Sequence, residues 1–249
     1  MFMKNSRVAM VALGAVMASS AFASLTTYNQ DFESLAAGDG GALSGDGWKV
    51  FANVFDSGDN YLYGYGPFGA PNGGAGFSAI ATGEAGPNQG QQYINTYSDY
   101  NNGDHGNNRK IEANIFQEQI IGAADLGQTF TFGFDYKASS GFGPGGASRT
   151  WAFIKVLDPA NGFSLVAFPR TETTAASTTT WSEGNTISIT IDPSWTNNIL
   201  QFGFMNTATA YEPTGMYYDN VSFSAVPEPA SMVALGAGLL ALARRRRKA

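Results

Sequence analysis

His105 is the sole histidine and there is no cysteine, so two common routes to catalysis close together. A zinc site of the usual kind draws several imidazoles or thiolates. A serine triad would have to turn on His105, yet no Gly-x-Ser-x-Gly elbow presents a serine to it. In the polar stretch Asn101-Asn102-Gly103-Asp104-His105-Gly106-Asn107-Asn108, this histidine is expected to be solvated. The run from Asp99 to Asp104 suggests a calcium loop but breaks the EF-hand pattern. Gly103 takes the third ligand position, and Lys110 stands where a glutamate is needed. Asp56-Ser57-Gly58-Asp59-Asn60 is incomplete in the same way, and both stretches read as turns whose Asp and Asn bond their own backbone. Gly64-Tyr65-Gly66-Pro67-Phe68-Gly69 satisfies G-x-G-x-x-G, but it neither follows a βαβ strand nor opens a helix, so no nucleotide is implied. What remains is a pair of carboxylates, the equipment of a glycosidase. No pair stands out, so no catalytic residue is assigned. The expectation is a non-enzymatic protein; the alternative is a carboxylate-dependent glycan-cleaving enzyme, a glycosidase or lyase.

Aromatic side chains offer a different chemistry. Trp48, Trp151, Trp181 and Trp195, with Tyr61, Tyr63 and Tyr65, include several in or near loops. A flat ring stacks on the apolar face of a sugar while neighbouring Asn and Asp bond its hydroxyls. Most of these rings are nonetheless expected in the core or packed under loops.

The elements that must position these groups read as β throughout. Phe130, Phe132, Phe134 and Tyr136 share one face, with Thr, Gly, Asp and Lys on the other, the period of a half-buried strand. Ile111, Ala113 and Ile115 alternate likewise, and Phe116 directly after Ile115 predicts a bulge or a change of buried face. Other strands are predicted near 26–33, 47–55, 75–83, 90–97, 150–157, 163–168, 186–191, 199–205 and 216–224. The Gly-, Pro- and Tyr-rich stretch 61–76 is expected to be a long loop, as are 141–146 and 171–180. Asp158-Pro159-Ala160-Asn161-Gly162 is a good hairpin connection. With no amphipathic helix of any length, the fold class is all-β, a single sandwich domain over residues 24–225.

The order of Phe32-Glu33 on the first strand, residues 115–121 before Leu126-Gly127, the aromatic strand at 129–136 and a final Tyr218-Asp219-Asn220-Val221 resembles the jelly-roll of carbohydrate-binding modules with a galactose-binding-like fold. That resemblance implies a possible structural calcium between the first and last strands, with Glu33 and Asp219 as its matching acids. No other cofactor is required.

Both ends read as addresses. Lys4 and Arg7 precede an apolar core at 8–17, and Ala21-Phe22-Ala23 supplies small residues at Ala21 and Ala23 for cleavage, so residues 1–23 read as a secretory signal helix. In an exported chain the missing cysteine excludes a disulfide framework, leaving stability to the core. At the other end Val226-Pro227-Glu228-Pro229 is followed by a short apolar run and then Arg244, Arg245, Arg246, Arg247 and Lys248. The apolar stretch 230–243 would make about 21 Å of helix against a hydrocarbon core of ~30 Å. It is therefore marginal as a permanent transmembrane helix, and the cations would stop transfer. This arrangement, residues 226–249, is similar to the PEP-CTERM sorting signal of Gram-negative bacteria that make extracellular polysaccharide. The resemblance implies export, an inner-membrane intermediate, processing by an exosortase and delivery to the cell surface or matrix.

Between the two addresses the body holds seven Lys and Arg against nineteen acids, a net charge of −12 where the whole chain carries −6. Such a surface repels phosphate backbones, so nucleic acid is not an expected partner. Extracellular polysaccharide is.

Overall fold

The computed structural model describes residues 24–71 and 77–227. In chain order the strands are β1 (Tyr28–Gln30), β2 (Lys49–Phe55), β3 (Tyr61–Gly69), β4 (Ser78–Thr82), β5 (Gln92–Thr96), β6 (Lys110–Ile120), β7 (Thr129–Ala138), β8 (Arg149–Asp158), β9 (Ser164–Ala167), β10 (Arg170–Glu172), β11 (Ser182–Thr190), β12 (Ile199–Thr209) and β13 (Met216–Ala225). Helix among the described residues is confined to Ala42–Gly45 and short 3-10 turns.

Two antiparallel sheets pack face to face. Sheet A runs β11-β7-β13-β5-β4 and sheet B runs β10-β8-β12-β6-β2-β3, with β9 added beside β8. From β5 to β8, and again from β11 to β13, successive strands alternate between the sheets. The protein is thus an all-β sandwich of jelly-roll type. A detail of β13 matters later. Its first residues, Met216–Tyr218 in sequence, pair with β5, whereas β1 pairs with residues 221–223. The ladder with β7 shifts register between Asp219 and Ser222, where Asn220 has φ 48°. Asp219 therefore sits at the seam between two partners of one strand.

The core is aromatic, as the alternation on β7 requires. Phe132 and Phe134 face Phe202 and Phe204 of β12 across the sandwich. Phe202 stacks on Phe223 at 4.4 Å, and Phe204 on Tyr218 at 3.6 Å. Trp48 closes one end of this core, fully buried against Tyr28, Phe32 and Phe204. Each such ring contributes roughly 1.5–3 kcal/mol through the apolar surface it removes from water. This supplies stability without disulfides.

Four expectations need correction. Residues 61–69 are not loop: β3 pairs with β2 through two register shifts. Gly64 and Gly66 make this possible, because a Cβ at either would lie within 2.7 Å of Phe51 or the Val50 carbonyl. Glycines that look like breakers in sequence are here the residues that let an edge strand close down. Phe116 marks no bulge, since β6 keeps register with β2 and β12 along its whole length. Ile115 faces the core and Phe116 faces outward, yet both are buried. Phe32 and Glu33 lie just past β1, where Phe32 turns at φ 59°. His105 is not solvated: it is 1% exposed, on the 3-10 turn Gly103–Asn107, between the rings of Tyr100 and Tyr211. Burial holds its imidazole below the ordinary value against the pull of Asp99, Asp104 and Glu212.

The Asp56 turn is as expected, its carboxylate accepting from the backbone of Gly58 and Asn60. The hairpin joining β8 and β9 likewise turns through Pro159–Asn161 and Gly162.

Candidate functional site

The pleat of sheet B sends Val50, Ala52, Ile111, Ala113, Ala152, Ile154, Leu200 and Phe202 into the core. Their neighbours must then point out, and on this face they do not all meet water. Phe116, Phe153 and Met205 form a second buried cluster, with Phe51, Trp151 and Phe168 packed on it. Beside this cluster a cleft of ≈ 550 Å³ opens over Asn114, Phe116 and Glu118 of β6, Gln201 of β12, and Lys155 and Leu157 of β8. One wall is Gly66 and Pro67, joined by a cis peptide on β3; the other is Gly162 and Phe163 of the β8–β9 turn. Phe163 is 60% exposed at that rim.

A polar grid crosses the floor. Lys49 Nζ lies 2.9 Å from Glu118 Oε1, and Gln201 Nε2 donates to Glu118 Oε2 at 2.8 Å. Lys155 Nζ donates to Asn114 Oδ1 at 2.7 Å and stands 3.5 Å from Glu112 Oε1, which also accepts from Asn53 and Asn114. The same ammonium lies over the rings of Phe153 and Phe168, 4.6 and 4.8 Å from their centroids. Lys155 pairs in register with Gln201, but its ammonium reaches residues further along the sheet, opposite Met205 and Thr207. Gly203 between them has no side chain to obstruct the way.

Burial alone would push the Glu112 carboxyl up, but the Lys155 ammonium and the Asn114 and Asn53 amides hold it below the usual carboxylate range. Burial lowers the Lys155 ammonium, with Glu112 opposing. A carboxyl held ionised in this way does not serve as a general acid. Glu112 and Glu118 are six residues apart on one strand, about 20 Å at ~3.4 Å per residue, whereas glycosidase carboxyls stand ~5–9.5 Å apart. Rings, amides and charged side chains together line the cleft.

The acids matched to calcium lie at the other sheet, Asp219 on β13 and Glu33 in the turn after β1. Asp219 is 1% exposed; its Oδ1 accepts from the Asn220 backbone N–H at 2.6 Å, and its Oδ2 has no partner. Burial first, then the charges of Asp135, Asp31 and Glu33, push its carboxyl up to about 8. Glu33 Oε1 accepts from the backbone of Gln91 and Gln92 at 2.6 and 2.7 Å. The Gln89 amide oxygen nearby is also buried without a partner, while its Nε2 donates to Asp135. Among the described residues no group of three or more His, Cys, Asp or Glu is gathered tightly enough to hold a metal ion. A cation here would have to complete its shell with amide and backbone oxygens.

The rings singled out in sequence divide. Trp48 is core and Trp195 packs on it, while Trp151 belongs to the cluster beside the cleft. Tyr61 and Tyr63 are exposed on edge strand β3; Tyr65 packs against the core and donates to Asp99. Sequence reasoning missed Asn114, Lys155 and Gln201, although the buried Phe116 beside Ile115 was a signal that the outer face is covered. Val226 and Pro227 are exposed. Ala21, Ala23, Glu228, Pro229 and the cluster from Arg244 to Lys248, with both terminal segments predicted as helices, lie outside the described residues; within the described residues no helix is long and apolar enough to cross a membrane.

Comparison with known proteins gives the tail a definite assignment. Residues 225–248 match the PEP-CTERM protein-sorting motif. This is the signal of a protein exported and sorted in bacteria. No curated protein matches the chain. Similar solved structures include carbohydrate-binding modules of the β-sandwich superfamily, at 14% identity and TM-score 0.38 over 78% of this chain and 62% of that one. Others are the C-terminal family 22 carbohydrate-binding module of Clostridium thermocellum Xyn10B (12%, 0.36, 81% and 95%) and a Stig cyclase from Fischerella sp. TAU (14%, 0.42, 81% and 99%). The chain thus spans less than two thirds of the first of these.

Proposed function

We propose that the protein is a non-enzymatic glycan-binding component of the Gram-negative cell surface or matrix, carried there by its PEP-CTERM tail and processed by an exosortase. The observation that carries this reading is the cleft on sheet B, where rings and hydrogen-bonding side chains alternate on rigid strands. Phe163 and Pro67 offer apolar surfaces at the walls, and Gln201, Asn114 and Lys155 offer polar groups on the floor. Extracellular polysaccharide is the ligand class that suits an exported protein with such a cleft. A glycan array probed with the full-length protein tests this. Binding should fall at least tenfold in Phe163→Ala and Gln201→Ala, both on the cleft and neither in the main core. No glycan retained, or retention unaffected by both substitutions, would overturn the reading. Release of reducing ends from a polysaccharide panel would instead favour the glycan-cleaving alternative.

We also propose that Asp219 and Glu33 hold a structural calcium at the β1–β5 seam of β13. The buried, unpartnered Oδ2 of Asp219 supports this, since Ca²⁺ takes 6–8 oxygen ligands and carbonyls can join carboxylates in its shell. A chelator should lower Tm and added Ca²⁺ should restore it; a Tm indifferent to chelator removes the site.

A further inference from the structure

The outer face of sheet A carries a second opening. On β5 Ile94 faces the core, so Tyr93 and Asn95 face out; on β13 Met216 and Tyr218 face in, so Tyr217 faces out. Over Asn95 and Tyr217 lies a groove of ≈ 420 Å³, walled by Tyr97, Tyr100, Phe142 and Tyr211. It is distinct from the cleft and opens on the opposite side of the sandwich.

The rings are fixed in place by their hydroxyls. Tyr97 donates to the Ser78 carbonyl, Tyr100 to that of Glu212, and Tyr217 to Glu84 Oε1. Tyr97 and Tyr100 stand within 6° of parallel. What they leave available is ring surface. Phe142 and Tyr211, 74% and 51% exposed, form an open rim.

Two polar features set the complementary chemistry. The Asn95 side-chain oxygen is buried at the groove without a hydrogen-bond partner. An unpaired buried acceptor carries an uncompensated desolvation penalty, which a hydroxyl reaching in from the groove would relieve. Among the described residues no charged side chain lines the groove. The adjoining carboxylate, Glu84, is taken up by Lys137, Ser140 and Tyr217. The preferred occupant is therefore uncharged, with an apolar face for the rings and hydroxyls for the amide. A pyranose meets all of these terms.

We propose that this groove is a second binding site, for a single neutral pyranose unit. Where the cleft also binds glycan, which rests on the function proposed above, one molecule holds two chains on opposite faces and cross-links them.

Amide NMR titration of the full-length protein decides the matter, with the methyl glycosides of glucose, galactose, mannose, xylose and N-acetylglucosamine as probes. At least one should give saturable shifts at the Asn95 side-chain amide and along residues 139–142. Joint replacement Phe142→Ala and Tyr211→Ala should abolish those shifts and leave the rest of the spectrum, including Asn114 and Gln201, in place. No saturable shift at Asn95 with any of the five overturns the second site, whatever the array shows for the cleft. Shifts at Asn95 that survive the double replacement overturn it too. Conversely, groove shifts together with a silent array would keep this site and remove only the cleft and the cross-link.

Discussion

Each outer face of the sandwich buries a lysine against a carboxylate and an aromatic ring, but the two faces build the pair from different parts. On sheet B, Lys155 of β8 and Glu112 of β6 both ride on strands, with Asn53 and Asn114 completing the network from β2 and β6. On sheet A, Lys137 of β7 lies 2.9 Å from Glu84, which belongs to the connection between β4 and β5. Glu84 also accepts from Ser140 and Tyr217. Strand-borne groups are held by the sheet ladder whether or not the pair forms. Loop-borne groups depend more on one another, yet a loop relaxes when a partner is lost. The sheet B network is thus preorganised and intolerant, and the sheet A network is redundant and forgiving.

Removing the lysines exposes the difference most strongly. Lys155→Met leaves Glu112 buried without its counter-ion and is expected to cost about 3–5 kcal/mol, read from urea unfolding. Adding Glu112→Gln should recover most of that loss. Lys137→Met should cost less, about 1–3 kcal/mol, because Glu84 keeps Ser140 and Tyr217 as donors. Equal losses at the two sites would break the distinction between strand-borne and loop-borne pairs.

The same contrast explains what the sequence reveals. Strand β7 announces itself through Phe130, Phe132, Phe134 and Tyr136, because its other face carries Thr, Gly, Asp and Lys, which keep the period of two even where Asp135 and Lys137 are buried. The outer face of sheet B is partly covered, so Phe116 and Phe153 are buried out of phase with the core and mimic irregularity. The floor of the cleft was illegible for a related reason. Asn114 and Lys155 lie 41 residues apart, and only the register of β6, β12 and β8 brings them together. Asp219 was legible as a candidate through the resemblance of its motif to a known jelly-roll. Its burial was not, since that depends on how β1 and β5 divide the edge of β13. The tail needed no folding at all to be read, because its signal is an ordered series of local features.

A milder test concerns pH at that seam. With chelator present, folded Asp219 keeps its proton up to about pH 8, whereas the unfolded chain releases it near the ordinary value of about 3.9. Between those two points the unfolded state binds fewer protons, so stability should fall as pH rises, by at most about 1.4 kcal/mol per pH unit. Below that window this group contributes no pH dependence. Asp219→Asn should flatten the slope. Calcium should also flatten or reverse it, since the ion favours the charged carboxylate. A slope unchanged in Asp219→Asn would show that the seam is not the source. Asp219 therefore belongs with neither lysine: it is strand-borne but unpaired, and its stability depends on the medium.

The smallest expected effect separates binding from folding on sheet A. Phe142 and Tyr211 expose most and half of their surface respectively, so trimming either to alanine removes little area that folding had taken from water. Each should change unfolding free energy by no more than about 0.5 kcal/mol, the usual range for surface positions. Tyr211 carries the larger share of this, because it loses its contact with the His105 ring at 5.1 Å. Phe153→Ala, on the covered face of sheet B, should by contrast cost about 3–5 kcal/mol, as buried rings do. If Phe142→Ala proved as damaging as Phe153→Ala, the rim of the groove would be part of the packed structure. Near-neutral stability with lost pyranose shifts instead identifies those rings as surface kept open for a ligand, the opposite use of aromatic side chains from the one beside Lys155.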